Sequence, residues 1–196
     1  MCSAGTINRT HNQSRARQEA AAHQPTMTDP LAYFLTWHTY GTWLQGESSG
    51  SVDRTHREYG REFVRPNAPL RTAHASRMSG DAVTLSEPMR VAAQDTIIEV
   101  CNHRNWTLLA LHIRTTHAHA VVAAQCSPER VLNDFKSYAT RALRHAGLVE
   151  TDERIWARHG STRYLWNADE VTAAIDYTVN RQGTPLTPKP LFCRSL

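Results

Sequence analysis

The chain reads as an α+β domain with the element order β-α-β-β-α-β and one further helix at its end. Three observations predict it. Two stretches, Ser86-Glu87-Pro88 and Ser127-Pro128-Glu129, start helices with a serine N-cap and a proline in the first turn. Four stretches dense in β-branched, aromatic or small apolar residues lie around those helices. A third helix start, Asn167-Ala168-Asp169-Glu170, follows the last strand. Strand and helix in this order are the split-βαβ, ferredoxin-like pattern, an antiparallel sheet with helices on one face and the other face available.

The elements follow in order. Residues 1–29 mix Ala, Gln, Arg, Thr and His without an apolar period and lack the core of a secretory signal, so they read as a flexible tail with Met27 as an alternative start. Ala32–Leu44 (AYFLTWHTYGTWL) is the first strand, broken near Gly41. Residues 45–81 mix Gly, Ser, Pro, Arg and Glu without a period and read as a long loop. Its arginines are nearly balanced by acids, which suits a solvated loop or a nucleic-acid contact. The Ser86 helix has the apolar stripe Met89, Ala93, Ile97, Val100 and Cys101 and ends near His103–Asn105. Trp106–Ile113 is the second strand, and Thr115-Thr116 turns the chain into the third. The Ser127 helix buries Leu132, Phe135, Ala139, Ala142 and Leu143 and stops at Gly147. Trp156–Trp166 holds a fourth strand, placed at Ser161–Trp166, and Trp43 or Trp156 marks a further edge strand. Residues 30–183 form the domain; 184–196, with Pro185, Pro188 and Pro190, are an irregular tail.

Of the 22 basic residues only Lys136 and Lys189 are lysines. Arginine's planar fork suits phosphate, but a GC-rich genome enriches arginine as well. Cys2, Cys101, Cys126 and Cys193 are scattered, which argues against a zinc ribbon or a disulfide framework and favours a reduced cytoplasm. No apolar run is long enough to span a bilayer.

The third strand carries the chemistry. In Arg114-Thr115-Thr116-His117-Ala118-His119-Ala120-Val121-Val122, two histidines stand two apart. A strand sends residues i and i+2 to one face, so His117 and His119 stand side by side while Ala118, Ala120 and Val122 pack on the other. Two imidazoles on one rigid strand can ligate a divalent cation. The plainer reading is an edge strand with two half-exposed histidines.

The last helix carries the second candidate. Val171, Ala174, Ile175 and Val179 form its buried stripe, and Tyr177 lies roughly 120° from the stripe's centre. Asn180 falls roughly 60° further round and Arg181 roughly 40° the other way, so the three share a flank. Gln182 falls near the buried stripe unless the helix ends first, as Gly183 permits. The alternative is an interfacial tyrosine whose hydroxyl snorkels to water.

His117-Ala118-His119, then Phe135-Lys136-Ser137-Tyr138, Ile155-Trp156, Arg163-Tyr164, and Tyr177 followed by an amide resemble the single-tyrosine HUH transposases, in particular the REP-associated tyrosine transposase branch. The resemblance covers roughly residues 32–183. It implies a single-stranded DNA transesterase acting on hairpin or repeat DNA, associated with the nucleoid, with active sites built within one chain or across a homodimer. It implies that His117, His119 and an amide, Asn180 or Gln182, hold Mg²⁺ or Mn²⁺, and that Tyr177 forms a 5′-phosphotyrosine bond. The angular argument favours Asn180. The chain departs from the family pattern in having Arg181 four residues after the tyrosine, where Asn or Gln is usual, and Thr115-Thr116 before the first histidine, where Pro-Asn is usual. Tyr138 is the rival nucleophile, read instead as a packing or DNA-contact residue. Lys136, Tyr138, Arg141, Arg163 and Arg181 are the expected DNA contacts, and Trp156 or Trp166 can stack on a base. The competing readings are a domesticated protein that binds a DNA or RNA hairpin without cutting it, and a phosphodiesterase that uses water.

Overall fold

The computed structural model describes residues 29–44 and 67–183. Most of the expected tails and residues 45–66 of the expected loop therefore lie outside the described residues. The elements are β1 (Ala32–Thr39), α1 (Ala68–Ala75), α2 (Glu87–Arg104), β2 (Thr107–Ile113), β3 (His117–Ala123), α3 (Pro128–His145), β4 (Trp156–Leu165) and α4 (Ala168–Asn180). The sheet has the order β2-β3-β1-β4, antiparallel throughout. Leaving α1 aside, the topology is the expected ferredoxin-like one.

The local stops are those the residues require. Ser127 Oγ accepts from Arg130 N, and Asn167 Oδ1 accepts from Glu170 N. The Glu170 carboxylate accepts in turn from Trp166 N at 2.8 Å. Asn105 ends α2 at φ 56° and Gly147 follows α3 at φ +64°, left-handed positions that suit these two residue types.

The strand period divides the sheet into two interiors. Leu35, Trp37, Ile113, Ala118, Ala120 and Val122 point to one face, where α2 and α3 cover them with Ile97, Phe135 and Leu143. Val121, Ala110, Ala32 and Leu165 point to the other, where Val171 and Ala174 of α4 close a smaller core. The face that the bare fold leaves open is thus partly roofed by the last helix, over β2 and β3. Beside that roof the same face carries the polar ends of β1 and β3.

Three expectations are corrected. Residues 45–81 are not loop throughout, since Ala68–Ala75 is helical. Asn67 caps α1 by accepting from Leu70 N, Pro69 sits in its first turn, and none of its residues is buried. A helix held by its cap rather than by an apolar stripe has no period to detect. β4 starts at Trp156 rather than Ser161, and no fifth strand is found among the described residues. Its first half hides its strand character because it is an edge with exposed residues around Gly160. That glycine is a packing device: a Cβ there would lie 2.7 Å from Thr36 O and 2.8 Å from Leu132 Cδ2. Cys101 and Cys126 are free thiols, and no helix among the described residues is long and apolar enough to cross a membrane.

Gly160→Ala is expected to destabilise the domain by about 1–3 kcal/mol, because the added methyl overpacks against the β1 backbone and α3. Urea unfolding of the variant checks this, and an unchanged midpoint would contradict the close approach.

Candidate functional site

Strand register brings the histidines together. His119 pairs with Thr36 of β1 and His112 of β2, and His117 pairs with His38. Paired residues in antiparallel strands share a face. His38, His112, His117 and His119 therefore all lie on the α4 side of the sheet. The His117 and His119 ring centroids are 5.0 Å apart, and those of His38 and His117 are 5.6 Å apart. His38 also stacks on Trp43 at 4.9 Å.

Threonines hold the two central rings. Thr36 Oγ1 is 2.9 Å from His119 Nδ1, and Thr116 Oγ1 is 3.1 Å from His117 Nδ1. Thr116 is fixed in turn, its carbonyl accepting from Thr39 N, Thr39 Oγ1 and Thr42 Oγ1. The residue that stands where the resemblance calls for asparagine thus orients the first histidine. His112 is buried, and its Nδ1 lies 3.1 Å from the Thr178 carbonyl of α4, tying strand to helix.

Burial keeps His38, His117 and His119 neutral near pH 7. Desolvation is the leading cause for each, since the charged form loses its water. It lowers His119 to about 3, with His117 adding repulsion. It lowers His38 to about 4, again with His117 adding to it. His117 is also lowered, by desolvation first, with an opposing hydrogen bond from Gln182 and a further lowering by Arg114. Near neutral pH these three rings present lone pairs rather than positive charge.

The end of α4 supplies the remaining groups. The Tyr177 ring lies 5.5 Å from that of His119 and 5.8 Å from that of Phe34, edge-on to both. Phe34 itself stacks on His119 at 5.7 Å. Tyr177 is 43 % exposed, so its ring is held while the side chain stays open to solvent. α4 ends at Asn180, and the buried Gln182 lies close enough to His117 and His119 for its side chain to raise the proton affinity of both, against the larger effect of burial.

The angular preference for Asn180 is corrected at this point. Asn180 Nδ2 donates to Asp176 Oδ1 at 2.8 Å and Arg181 Nε to Asp176 Oδ2 at 3.0 Å. Both side chains turn back along the helix, and Arg181 forms an ion pair there. The helical angle stops applying at Arg181, whose φ and ψ of −109° and 8° leave the helix, and the next residue, Gln182, is buried.

The expected DNA contacts separate across the sheet. Arg163 pairs with Phe34 and so lies on the histidine face. Lys136, Tyr138 and Arg141 sit on α3, in the opposite layer. Lys136 Nζ donates to the carbonyls of Ala157 and His159 at 3.0 Å each, and desolvation lowers its pKa to about 8. It secures the edge strand β4 to α3, which corrects its expected role as a phosphate contact. Tyr138 packs against the large core under the Arg141 guanidinium, 4.1 Å from ring centre to Cζ. The sheet stands between it and the histidines. Trp156 is buried and Trp166 is 54 % exposed, so of the two only Trp166 has a face open to a base.

Among the described residues no three His, Cys, Asp or Glu side chains are placed to enclose a metal ion. A cation on this face would take imidazole nitrogens from His117 and His119 and the carboxamide oxygen of Gln182. That is a mixed nitrogen–oxygen set with positions left for other ligands, and hydrogen-bonded imidazoles beside an amide oxygen fit such an open site. Sequence reasoning missed His38, His112, Thr36 and Arg114. The hairpin turn at Thr115-Thr116 was enough to align His112 with His119; the β1 partners needed the register.

No family model matches the chain, and no curated protein matches it. Among solved structures it is similar to a REP-associated tyrosine transposase bound to a REP hairpin, at 13% sequence identity and a TM-score of 0.44, over 82% of this chain and 72% of that one. A likeness at that level is not evidence of shared chemistry.

The depressed histidines set an acid limit. The folded state binds the protons of His119 and His38 only near pH 3 and 4, whereas the unfolded chain binds them near 6.5. Stability is therefore full above about pH 6.5 and falls as pH drops toward 4, because the unfolded state then holds more protons. In EDTA-treated protein, NMR of the imidazole carbons should show His119 still neutral at pH 5. A midpoint near 6.5 would contradict its burial.

Proposed function

We propose that this chain is a divalent-metal-dependent, single-stranded DNA endonuclease and strand transferase that works through a covalent 5′-phosphotyrosine intermediate. The observation that carries the reading is the convergence of His117, His119, Gln182 and Tyr177 on one face of the sheet. The family resemblance of the histidine pair and the late tyrosine points the same way. The substrate class is single-stranded DNA in hairpins or repeats.

In this reading each threonine oxygen accepts from a histidine Nδ1–H, which leaves the Nε2 lone pairs of His117 and His119 for Mg²⁺ or Mn²⁺, with the Gln182 amide oxygen as third donor. The bound cation supplies Lewis-acid polarisation of the scissile phosphate. Tyr177 supplies the nucleophile. Its phenolic oxygen, having lost its proton, attacks phosphorus, a P–O bond to Tyr177 forms, and the bond to the 3′-oxygen breaks. The leaving 3′-oxygen takes up a proton to become a hydroxyl. Attack by another 3′-hydroxyl reverses the exchange and frees Tyr177, so no high-energy cofactor is consumed. Phe34 holds the tyrosine ring edge-on and limits where its oxygen can sweep.

Labelled single-stranded hairpins from the DNA flanking the gene, incubated with Mn²⁺, are expected to yield a denaturation-resistant protein–DNA band. The band should vanish in Tyr177→Phe and in EDTA. Hairpin binding that survives His117→Ala with no band in the parent would instead establish a non-cutting binder. Cleavage that persists in Tyr177→Phe would establish hydrolysis by water.

Gln182→Ala is expected to weaken Mn²⁺ binding by roughly tenfold or more, as the loss of a ligand or its support does. Asn180→Ala should leave it within about twofold, because Asn180 turns to Asp176. Calorimetric titration of both variants with Mn²⁺ measures the difference, and equal losses would contradict the assignment of Gln182.

A further inference from the structure

The hairpin between β2 and β3 presents a cation that the steps above do not use. Arg114 N donates to His117 O at 2.8 Å, so the two residues oppose each other across the hairpin. Opposed residues share a face, which puts the Arg114 side chain on the side of His117 and His119. The guanidinium reaches the chain that leaves α4. A Cβ on Gly183 would lie 2.6 Å from Arg114 Nη1 and 3.5 Å from Cζ. Gly183 has φ +77°, so the position favours glycine for its backbone as well as for the space. The guanidinium thus lies against bare backbone next to Gln182, on the side of the sheet that carries His117.

Arg114 is half-buried, and among the described residues no carboxylate pairs with it; the ion pairs there are Arg104–Asp134 and Arg181–Asp176. A half-buried guanidinium with no carboxylate beside it gains most from an anion, and its fork matches two oxygens of one phosphate.

We propose that Arg114 is an oxyanion-binding residue, holding a phosphodiester oxygen of the bound DNA strand beside the His117–His119 pair, with Gly183 as the bare wall that positions its guanidinium. This rests on the reading of that face as a phosphodiester site. It adds a strand contact on the hairpin side of the histidines, opposite the Phe34–Arg163 side.

The test uses the full chain carrying Tyr177→Phe in EDTA, so that neither metal nor cleavage enters. Inorganic phosphate is titrated while the arginine Nε–Hε NMR signals are followed, and a short single-stranded oligodeoxynucleotide is then bound at several salt concentrations. The Arg114 signal is expected to shift saturably with phosphate, ahead of the other arginines. Arg114→Met should weaken oligonucleotide binding by roughly tenfold, the worth of one charge-assisted contact, and flatten the salt dependence by about one phosphate contact. Arg114→Lys should keep the salt dependence while losing part of the affinity. Gly183→Ala should weaken binding with the arginine still present. An Arg114 signal indifferent to phosphate, or an Arg114→Met variant that loses thermal stability but binds DNA like the parent, overturns the proposal and makes Arg114 a clamp on the Gly183 turn. A parent without a covalent adduct sinks the transesterase reading instead, and leaves the phosphate titration of Arg114 to stand or fall by itself.

Discussion

The site depends on the register between β1 and β3. Thr36 meets His119 across those strands, and its hydroxyl lies 2.9 Å from the ring nitrogen because the two residues are partners in the ladder. A slip of one residue would turn His117 and His119 into the α2–α3 core and bring Ala118 and Ala120 out beneath α4. The large core forbids that slip. Ala118, Ala120 and Val122 are fully buried against α2 and α3, where imidazoles in their place would be desolvated without partners. The same period that seals the core therefore aims the histidines.

Burial on the second face then decides their protonation. His119 is buried and His117 half-exposed, and desolvation is the leading cause of the lowered proton affinity of both. An imidazole that is neutral in the folded protein can accept a cation without first losing a proton, which removes one competing equilibrium. Each central ring also has a threonine at its Nδ1, so neither is free to flip without breaking a hydrogen bond. Rigidity here comes from threonine hydroxyls rather than from carboxylates, which keeps negative charge away from this face.

Most of the frame was legible because it is written in local signals. Ser127 and Asn167 cap the helices they introduce, Asn105 and Gly147 stop theirs, and the alternation of β3 puts its histidines on one face. Tyr177 was legible from angle alone, since it lies off the stripe formed by Val171 and Ala174. What escaped depends on contacts distant in sequence. Thr36 and His38 join the site only through pairing with β3. Lys136 reads as a surface cation on an amphipathic helix, yet its ammonium is consumed by two carbonyls of β4. α1 carries no apolar stripe to reveal it.

The end of α4 shows why spacing is a poor guide at a helix terminus. Four residues after Tyr177 the chain has Arg181, and a continuing helix would place that guanidinium, not an amide, beside the tyrosine. Asp176 prevents this by accepting from both Asn180 and Arg181, one on each carboxylate oxygen. Those hydrogen bonds hold the carboxyl below its usual range. They also draw Arg181 back along the outer side of the helix just where its backbone leaves helical geometry. The turn continues at Gly183, whose positive φ few other residues adopt, and its bare backbone accepts the Arg114 guanidinium. Between these two constraints Gln182 has one way to go, inward under the end of α4 onto the two imidazoles. The amide that comes to the histidines is thus Gln182, because the helix ends at Asn180 and the backbone has left helical geometry by Arg181.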